Sequence, residues 1–413
     1  SGSFIGLMLG GLLGPINWRL VFFVSVPFGL FGTVWAYLKL RDRGVRSPST
    51  IDWPGNVTFA GGLLSVMVAI TYGVQPYAGH AMGWTSPTVV VGGVVGVLLL
   101  ALFVWIESRS AHPMFRISLF RIRAFVFGSL STFLAALARG GLQFMLVIWL
   151  QGIWLPEHGY SFEETPIWAG ICMLPTTCGM IVAAPISGML SDRFGSRQFA
   201  TGGMLGAACA FGLLFLLPVD FSYPVFAFAL FLSGLSMGTF NSPNRAGVMN
   251  SLPARHRGVG SGMNSTFMNS AQVFSQGIFF TLMILGLSTA LPLAMSAGLE
   301  GHGVPAAVAA RAAQLPPVSI LFATFLGYNP LQELLGASTL SQLPAHTARL
   351  LTGRAFFPSL ISAPFHSGLH EVFAFSIVIC LIAALASWSR GRRPVADGEV
   401  RVHPSSAAAT PKR

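Results

Sequence analysis

The chain has 413 residues, of which 53% are hydrophobic and only 9% are charged, and its formal net charge is +11. Soluble proteins carry roughly a quarter charged residues, so this composition excludes a soluble globular domain and predicts an all-α polytopic membrane protein. The positive charges lie in short clusters between long uncharged runs, a pattern that argues against a nucleic-acid partner.

Uncharged runs of about 18 residues or more predict nine membrane-spanning helices. They are Leu20–Leu38, Trp53–Val74, Pro87–Ile106, Ala124–Gln151, Thr165–Leu190, Gln198–Leu217, Phe221–Pro243, Gly258–Leu287 and Phe365–Ser389. Residues 1–13 add a tenth crossing. At about 1.5 Å per residue, they cover only about two thirds of a bilayer core of about 30 Å, so we expect an incomplete helix there.

Charge asymmetry between alternate loops predicts the orientation. Of the 24 Lys and Arg residues, 19 fall in one set of loops and in the segment after the last span, and four fall in the opposite set. The positive-inside rule makes the first set cytoplasmic, together with the C-terminus. Residues 390–413 are polar and predict a disordered cytoplasmic tail.

One extracytoplasmic connection, residues 288–364, is long and rich in Ala, Pro and Gly. It contains an apolar piece, residues 320–336, that is too short and too polar to predict a span. We expect a surface helix or a re-entrant helix there.

Arg139 lies near the middle of a predicted span, where a charge is costly unless it faces protein or water. Gln143, one turn on, and Thr132, two turns back, share its helix face. These three residues predict a site for substrate or charge coupling. The alternative is a structural arginine that is satisfied by helix carbonyls or by a carboxylate.

Polar residues spaced by three and four form a narrow stripe on the span that begins at Gly258. Its members are Ser261, Ser265, Asn269, Gln272 and Gln276. In lipid such a stripe must face protein or water, so it forms either hydrogen bonds between helices or part of a pathway. In the preceding span, Gly234 and Gly238 predict close packing, and Asn241 and Asn244 are candidate gate or cavity residues.

The segment GMLSDRFGSR, which begins at Gly188, is the strongest local signal. So tight a turn needs glycine where backbones approach or where φ is positive, which predicts such roles for Gly188 and Gly195. Asp192 is expected just before the next helix, where the helix dipole favours an acid. Arg193 and Arg197 can then pair with it as a latch. The alternative is a basic loop that only sets the topology.

This segment resembles the signature loop of the major facilitator superfamily, G-x-L-a-D-r-x-G-r-k. Five residues match it, namely Gly188, Asp192, Arg193, Gly195 and Arg197. Ser196 replaces the usual basic residue. The opening stretch is similar to the family's antiporter motif, G-x-x-x-G-P-x-x-G-G, with Leu7 in place of proline. The matching glycines are Gly2, Gly6, Gly10 and Gly11. Stretches that begin at Asn17, His112 and Arg255 resemble three further signatures of fourteen-span drug:proton antiporters.

The resemblance implies a major facilitator fold in which the ten spans are helices 5 to 14 and helices 1 to 4 are missing. Residues 1–38 would end the N-terminal bundle, residues 39–123 would hold two linker helices, and residues 124–389 would form a C-terminal six-helix bundle. It further implies a multi-pass protein of the bacterial inner membrane, acting as a monomer. The activity implied is proton-coupled efflux of small amphipathic or cationic drugs, driven by the proton gradient without a cofactor.

Several alternatives remain. The same fold could serve uptake or the transport of a metabolite or lipid, and a chain without helices 1 to 4 could be a fragment that does not transport. A polytopic membrane enzyme would need acids or histidines clustered at one face, which the sequence does not indicate. His366 and His370 have the spacing of a metal pair, but no third ligand is evident, so no metal site is predicted.

Overall fold

The computed structural model describes residues 17–39, 52–110, 113–353 and 355–391, together with the isolated positions Gly6, Gly10 and Leu13. Apart from one isolated β-bridge, the regular elements of these residues are helices. Nine of the described helices are long and apolar enough to cross a membrane, and each overlaps one of the nine predicted spans. The all-α polytopic fold predicted from composition is therefore confirmed. The tenth, opening span lies almost entirely outside the described residues.

Fourteen α-helices are numbered here in chain order. They are α1 (Trp18–Lys39), α2 (Trp53–Gly73), α3 (Pro87–Arg109), α4 (Arg123–Trp149), α5 (Thr165–Cys172), α6 (Leu174–Phe194), α7 (Ser196–Phe215), α8 (Tyr223–Asn250), α9 (Arg257–Glu300), α10 (Ala306–Ala313), α11 (Pro317–Phe325), α12 (Leu331–Gln342), α13 (Ala345–Leu351) and α14 (Phe356–Trp388). α4 continues through a π-helical segment, Leu150–Trp154, into a last turn, Leu155–Glu157. α5 and α6 together form one span.

α4, α6, α7, α8, α9 and α14 pack into one bundle around a continuous apolar core. Fully buried aromatic side chains fill it, among them Trp149, Phe279 and Phe365. Small residues let the helix backbones meet, as is usual in membranes. A Cβ on Gly238 of α8 would lie 2.8 Å from the carbonyl oxygen of Met180 in α6, which confirms the predicted close packing at this glycine.

The α2–α3 hairpin docks onto the bundle through a cluster of aromatic rings. The ring centroids of Phe103 and Phe115 lie 5.3 Å apart, and those of Phe115 and Phe267 lie 5.7 Å apart. This cluster also includes buried Phe125 and Val248, so it joins the hairpin to the ends of α4, α8 and α9. α1 differs from the bundle helices because none of its described residues is fully buried.

The bundle has two ends of opposite charge. We call the end at which α4, α7 and α9 begin the basic face. It carries Arg123, Arg193, Arg197, Arg245 and Arg257. We call the other end the acidic face. It carries Glu157, Glu163, Glu164, Asp220, Glu300 and Glu333.

The long connection is shorter and contains more helices than the sequence predicted. α9 continues to Glu300 and α14 already begins at Phe356, so the connection covers residues 301–355 rather than 288–364. The apolar piece at 320–336 is not one helix, because it breaks between α11 and α12, where Gly327 has φ +66°. α10 and α11 meet at 84°, and Ile320 and Leu321 of α11 are buried in the core, so a plain surface helix is the wrong description.

Candidate functional site

α4 has no side chains at the two positions that follow Arg139, which are Gly140 and Gly141. A Cβ on Gly141 would lie 2.5 Å from the Cβ of Phe279 and 2.8 Å from the carbonyl oxygen of Ser275, both on α9. A Cβ on Gly140 would lie 2.9 Å from the carbonyl oxygen of Gln272. α9 can approach α4 so closely only because both positions are glycine.

Ser275 hydrogen-bonds to the backbone of α4 at this contact. Its Oγ accepts a hydrogen bond from the amide of Gly141 at 2.8 Å and donates one to the carbonyl of Leu137. In an undistorted helix these two backbone groups bond to each other directly. From the other side, the hydroxyl of Ser376 in α14 donates to the carbonyl of Ala138 at 3.2 Å. Two neighbouring helices therefore fix the turn that carries Arg139.

Arg139 lines a cavity of about 220 Å³ in the middle of the bundle, here called the Arg139 cavity. Its polar lining comes from four helices. These residues are Arg139 and Gln143 of α4, Thr176 and Thr177 of α6, Ser233 of α8 and Gln272 of α9. Leucine, methionine and phenylalanine side chains form the rest of the wall. The cavity thus has a mixed wall, in which polar groups from several helices converge among apolar side chains.

The charge of this cavity is uncompensated within the described part of the chain. Arg139 makes no hydrogen bond and no salt bridge to a described residue, and no carboxylate is among the lining residues. The Oγ1 atom of Thr176 is also buried without a partner among these residues. A buried cation and a free hydroxyl are costly unless a ligand or water satisfies them. The lining suits a ligand that presents hydrogen-bond acceptors or a negative charge.

Three of the six candidate cavity residues come together here, and three do not. Arg139, Gln143 and Gln272 line the cavity. Asn241 and Asn269 are exposed and do not contribute to it. Thr132 shares the helix face of Arg139, but α8 crosses that face. Its hydroxyl therefore accepts a hydrogen bond from Asn244 of α8 at 2.8 Å instead of facing the cavity.

The polar stripe on α9 does not supply the hydrogen bonds between helices. Among the described residues, no side chain of the stripe bonds to a neighbouring helix, and only Gln272 lines the cavity. Ser275 makes those bonds instead. It lies three residues after Gln272, a spacing that also occurs within the stripe, and the two glycines that follow Arg139 in the sequence could likewise have indicated a close helix contact.

Asn244 is the centre of a second buried network, at the basic face. Its amide nitrogen donates to the hydroxyl of Thr132 and, at 3.2 Å, to the carbonyl of Gly128. Its amide oxygen accepts a hydrogen bond from Arg390. Arg390 is only 6% exposed, and burial lowers its pKa to about 10. The prediction that the tail begins at Arg390 is wrong, because this residue belongs to the bundle; residues 392–413 lie outside the described part.

The signature loop between α6 and α7 has the expected backbone but not the expected ion pairs. Gly195 has φ +95°, and a Cβ on Gly188 would lie 3.0 Å from the hydroxyl of Ser242. α6 continues to Phe194, so Asp192 is in its last turn rather than just before α7. Asp192 makes no salt bridge with a residue that the structure describes.

The two arginines of this loop do not form the predicted latch in this conformation. The guanidinium of Arg197 stacks on the ring of Trp388 at 3.8 Å, and that of Arg193 lies 5.5 Å from the ring of Phe194. A cation over an aromatic face is a favourable contact that needs no carboxylate. The latch with Asp192 stays a prediction for another conformation.

The opening glycine motif is only partly described. Gly2 and Gly11 lie outside the described residues. Gly6 and Gly10 are helical, and a Cβ on either would meet no described atom within 4 Å. Their role in close packing therefore stays a prediction.

Comparison with known proteins places this geometry in context. Residues 50–276 match the family model of the Major Facilitator Superfamily. The chain is 24% identical over 387 residues to the multidrug transporter protein MdtP of Bacillus subtilis, covering 93% of this chain and 66% of that protein. It is 28% identical over 289 residues to the tetracenomycin C resistance and export protein of Streptomyces glaucescens, covering 70% of this chain and 51% of that protein.

A crystal structure of a bacterial homologue of the human lysosomal transporter Spinster, inward-facing and occupied, is also similar. It has 16% identity and a TM-score of 0.40, and the match covers 81% of this chain and 67% of that one. The chain thus spans about half to two thirds of the length of the relatives that it matches.

Proposed function

The chain belongs to the Major Facilitator Superfamily, and on that premise we propose that it acts in the export of small amphipathic molecules across a bacterial inner membrane. The family consists of membrane transporters rather than enzymes. Export is supported by the two relatives named above, a multidrug transporter and a tetracenomycin C resistance and export protein. Arginines at the basic face support a cytoplasmic location of that face and of the C-terminus.

The observation that carries the proposal is the Arg139 cavity. Helices that run in both directions line this cavity. Four of them contribute its polar groups. Polar groups of this kind, about halfway along their helices, suit the midplane site that alternating access opens to each side of the membrane in turn.

The lining also narrows the substrate class. The family resemblance implied amphipathic or cationic drugs. Arg139 favours amphipathic substrates that carry no positive charge. A cationic substrate would meet an unpaired guanidinium and no carboxylate among the described lining residues. We propose that Arg139 binds a carbonyl, phenolate or carboxylate group of an amphipathic substrate, while Gln143 and Gln272 supply further hydrogen bonds.

Proton coupling completes the proposal. The energy source is the proton gradient, no cofactor takes part, and the working unit is a monomer. Movement of the two halves would bring the loop at Gly195 into new contacts, so that Asp192 could pair with an arginine in one state and release it in the other. This latch fits the present geometry because Asp192 is exposed and makes no salt bridge among the described residues.

Efflux from cells tests the proposal. The complete reading frame that encodes the chain is expressed in bacteria lacking their own exporters, and accumulation of an anionic and a cationic amphipathic dye is measured. Loss of a hydrogen bond to a charged group costs about 1.5–3 kcal/mol. Arg139→Ala should therefore weaken apparent affinity for the anionic dye by about 10- to 100-fold.

Arg139→Lys should retain part of the activity, because the charge remains. Arg245→Ala, which removes an exposed arginine of the basic face, is the matched control and should leave efflux unchanged. Unchanged efflux in both Arg139 variants would refute the assigned role of this residue. Efflux that survives a protonophore would refute proton coupling.

A further inference from the structure

A second cavity, of about 250 Å³, opens on the acidic face between the end of α4 and the connection from α11 to α12. We call it the Tyr328 cavity. Four aromatic rings line it, from Tyr160, Phe162, Tyr328 and Phe357. Lining of this kind is mostly apolar, but the faces of the rings present negative potential.

The walls of this cavity are fixed by specific contacts. A Cβ on Gly152, in the π-helical segment, would lie 2.8 Å from the carbonyl oxygen of Thr324, so α11 packs directly against this backbone. The ring of Phe162 lies against Gly327, whose φ of +66° favours glycine. The side chain of Asn329 donates to the carbonyls of Leu351 at 3.0 Å and Gly353 at 2.9 Å. These contacts make the cavity a built feature of the connection.

The segments that form two walls of this cavity are rich in carboxylates. Residues 155–164 and 317–336, which form two walls, contain four glutamates and no lysine or arginine. The glutamates are Glu157, Glu163, Glu164 and Glu333. The segment that leads to the third wall carries two arginines in the sequence, Arg349 and Arg354, against these four glutamates. Glu333 accepts a hydrogen bond from Tyr328, which raises the pKa of the tyrosine hydroxyl and brings a carboxylate next to a lining ring.

We propose that the Tyr328 cavity binds a small aromatic organic cation. Aromatic faces attract ammonium groups, and the carboxylates supply the long-range attraction.

The Tyr328 cavity is separate from the Arg139 cavity and has the opposite charge preference. Both include residues of the α4 segment, but Leu146 and Gly152 are six residues, or about 9 Å, apart along it. The proposal therefore does not depend on the proposed export activity.

Hydrogen–deuterium exchange of the purified full chain tests the proposal. The probe is benzyltrimethylammonium, and its uncharged isostere neopentylbenzene is the matched control. We expect the ammonium ion to slow exchange in peptides covering residues 158–164 and 322–330, and the isostere to leave both unchanged. Glu333→Gln should weaken this protection about two- to fivefold in apparent affinity, the range of an exposed cation–π or ion-pair contact.

Phe162→Leu should also weaken protection, because it removes one ring and retains an apolar side chain. Arg139→Ala should have no effect on it, since that residue lines the other cavity. Equal protection by the ammonium ion and its isostere would overturn the proposal, because the cavity would then be merely apolar. Absence of protection by the ammonium ion would overturn it as well, whatever the result of the efflux assay.

Discussion

Replacement of Gly141 by alanine should loosen the contact on which the Arg139 cavity depends. The new Cβ would lie 2.5 Å from the Cβ of Phe279, so α9 must move away from α4. Overpacking of this kind costs about 1–3 kcal/mol. The hydrogen bonds of Ser275 to Leu137 and Gly141 would lengthen, which costs about 0.6 kcal/mol for each bond in a membrane. Alanine recovers about 1 kcal/mol of intrinsic helix propensity.

The net expectation for Gly141→Ala is a loss of about 1–3 kcal/mol in the free energy of unfolding. Gly262→Ala on α9 is the matched control, because its Cβ would meet no atom within 4 Å and should gain up to about 1 kcal/mol. Ser275→Ala, which removes both hydrogen bonds without adding volume, should cost about 1 kcal/mol. Unfolding midpoints in one detergent, measured by tryptophan fluorescence, compare the three. Equal midpoints for Gly141→Ala and Gly262→Ala would refute the packing argument.

Three further predictions concern the basic and acidic faces. Gly195→Ala should lower stability by about 1–2 kcal/mol, because alanine is strained at φ +95°; an unchanged unfolding midpoint would contradict this. Asn244→Leu should cost about 3–5 kcal/mol, since it leaves the buried guanidinium of Arg390 without an acceptor. Adding Arg390→Met should restore most of that loss, and the absence of any recovery would count against the network. The hydrogen bond to Glu333 raises the pKa of Tyr328 in the folded protein. Its stabilising contribution is therefore fully present below the ordinary tyrosine pKa and is lost as the pH rises through the raised pKa of the folded state. Glu333→Gln should shift the ultraviolet titration of Tyr328 to lower pH, with Tyr328→Phe identifying the signal; an unshifted curve would exclude the contact.

Local sequence signals predicted the parts of the structure that depend on short-range physics. Uncharged runs gave all nine described spans, because the bilayer requires apolar length whatever the helices pack against. A glycine at Gly195 indicated a backbone position with positive φ, and the charge of Arg139 in an apolar run indicated a polar site. Each of these inferences uses only a residue and its immediate neighbours.

Predictions that required knowledge of a partner helix were less successful. Thr132 shares a helix face with Arg139, yet α8 covers that part of the face and binds Thr132 through Asn244. The sequence places Arg390 among several basic residues of a tail. In the structure its guanidinium packs against Gly128 and Gly247, where a larger residue would leave it no room. Periodicity along one helix cannot show which neighbour occupies its face.

The sequence by itself determined that this protein lies in a membrane, how many described helices span it and which transporter family it resembles. Apolar length and signature loops are properties of the chain, so no tertiary contact was needed. Only the tertiary structure decided which polar residues meet. It joined Arg139, Gln143 and Gln272 in one cavity, excluded Asn241 and Asn269 from it, and folded the connection between α9 and α14 into a second cavity. These outcomes depend on how closely two backbones approach, and that distance is set jointly by residues far apart in the chain, such as Gly141 and Ser275.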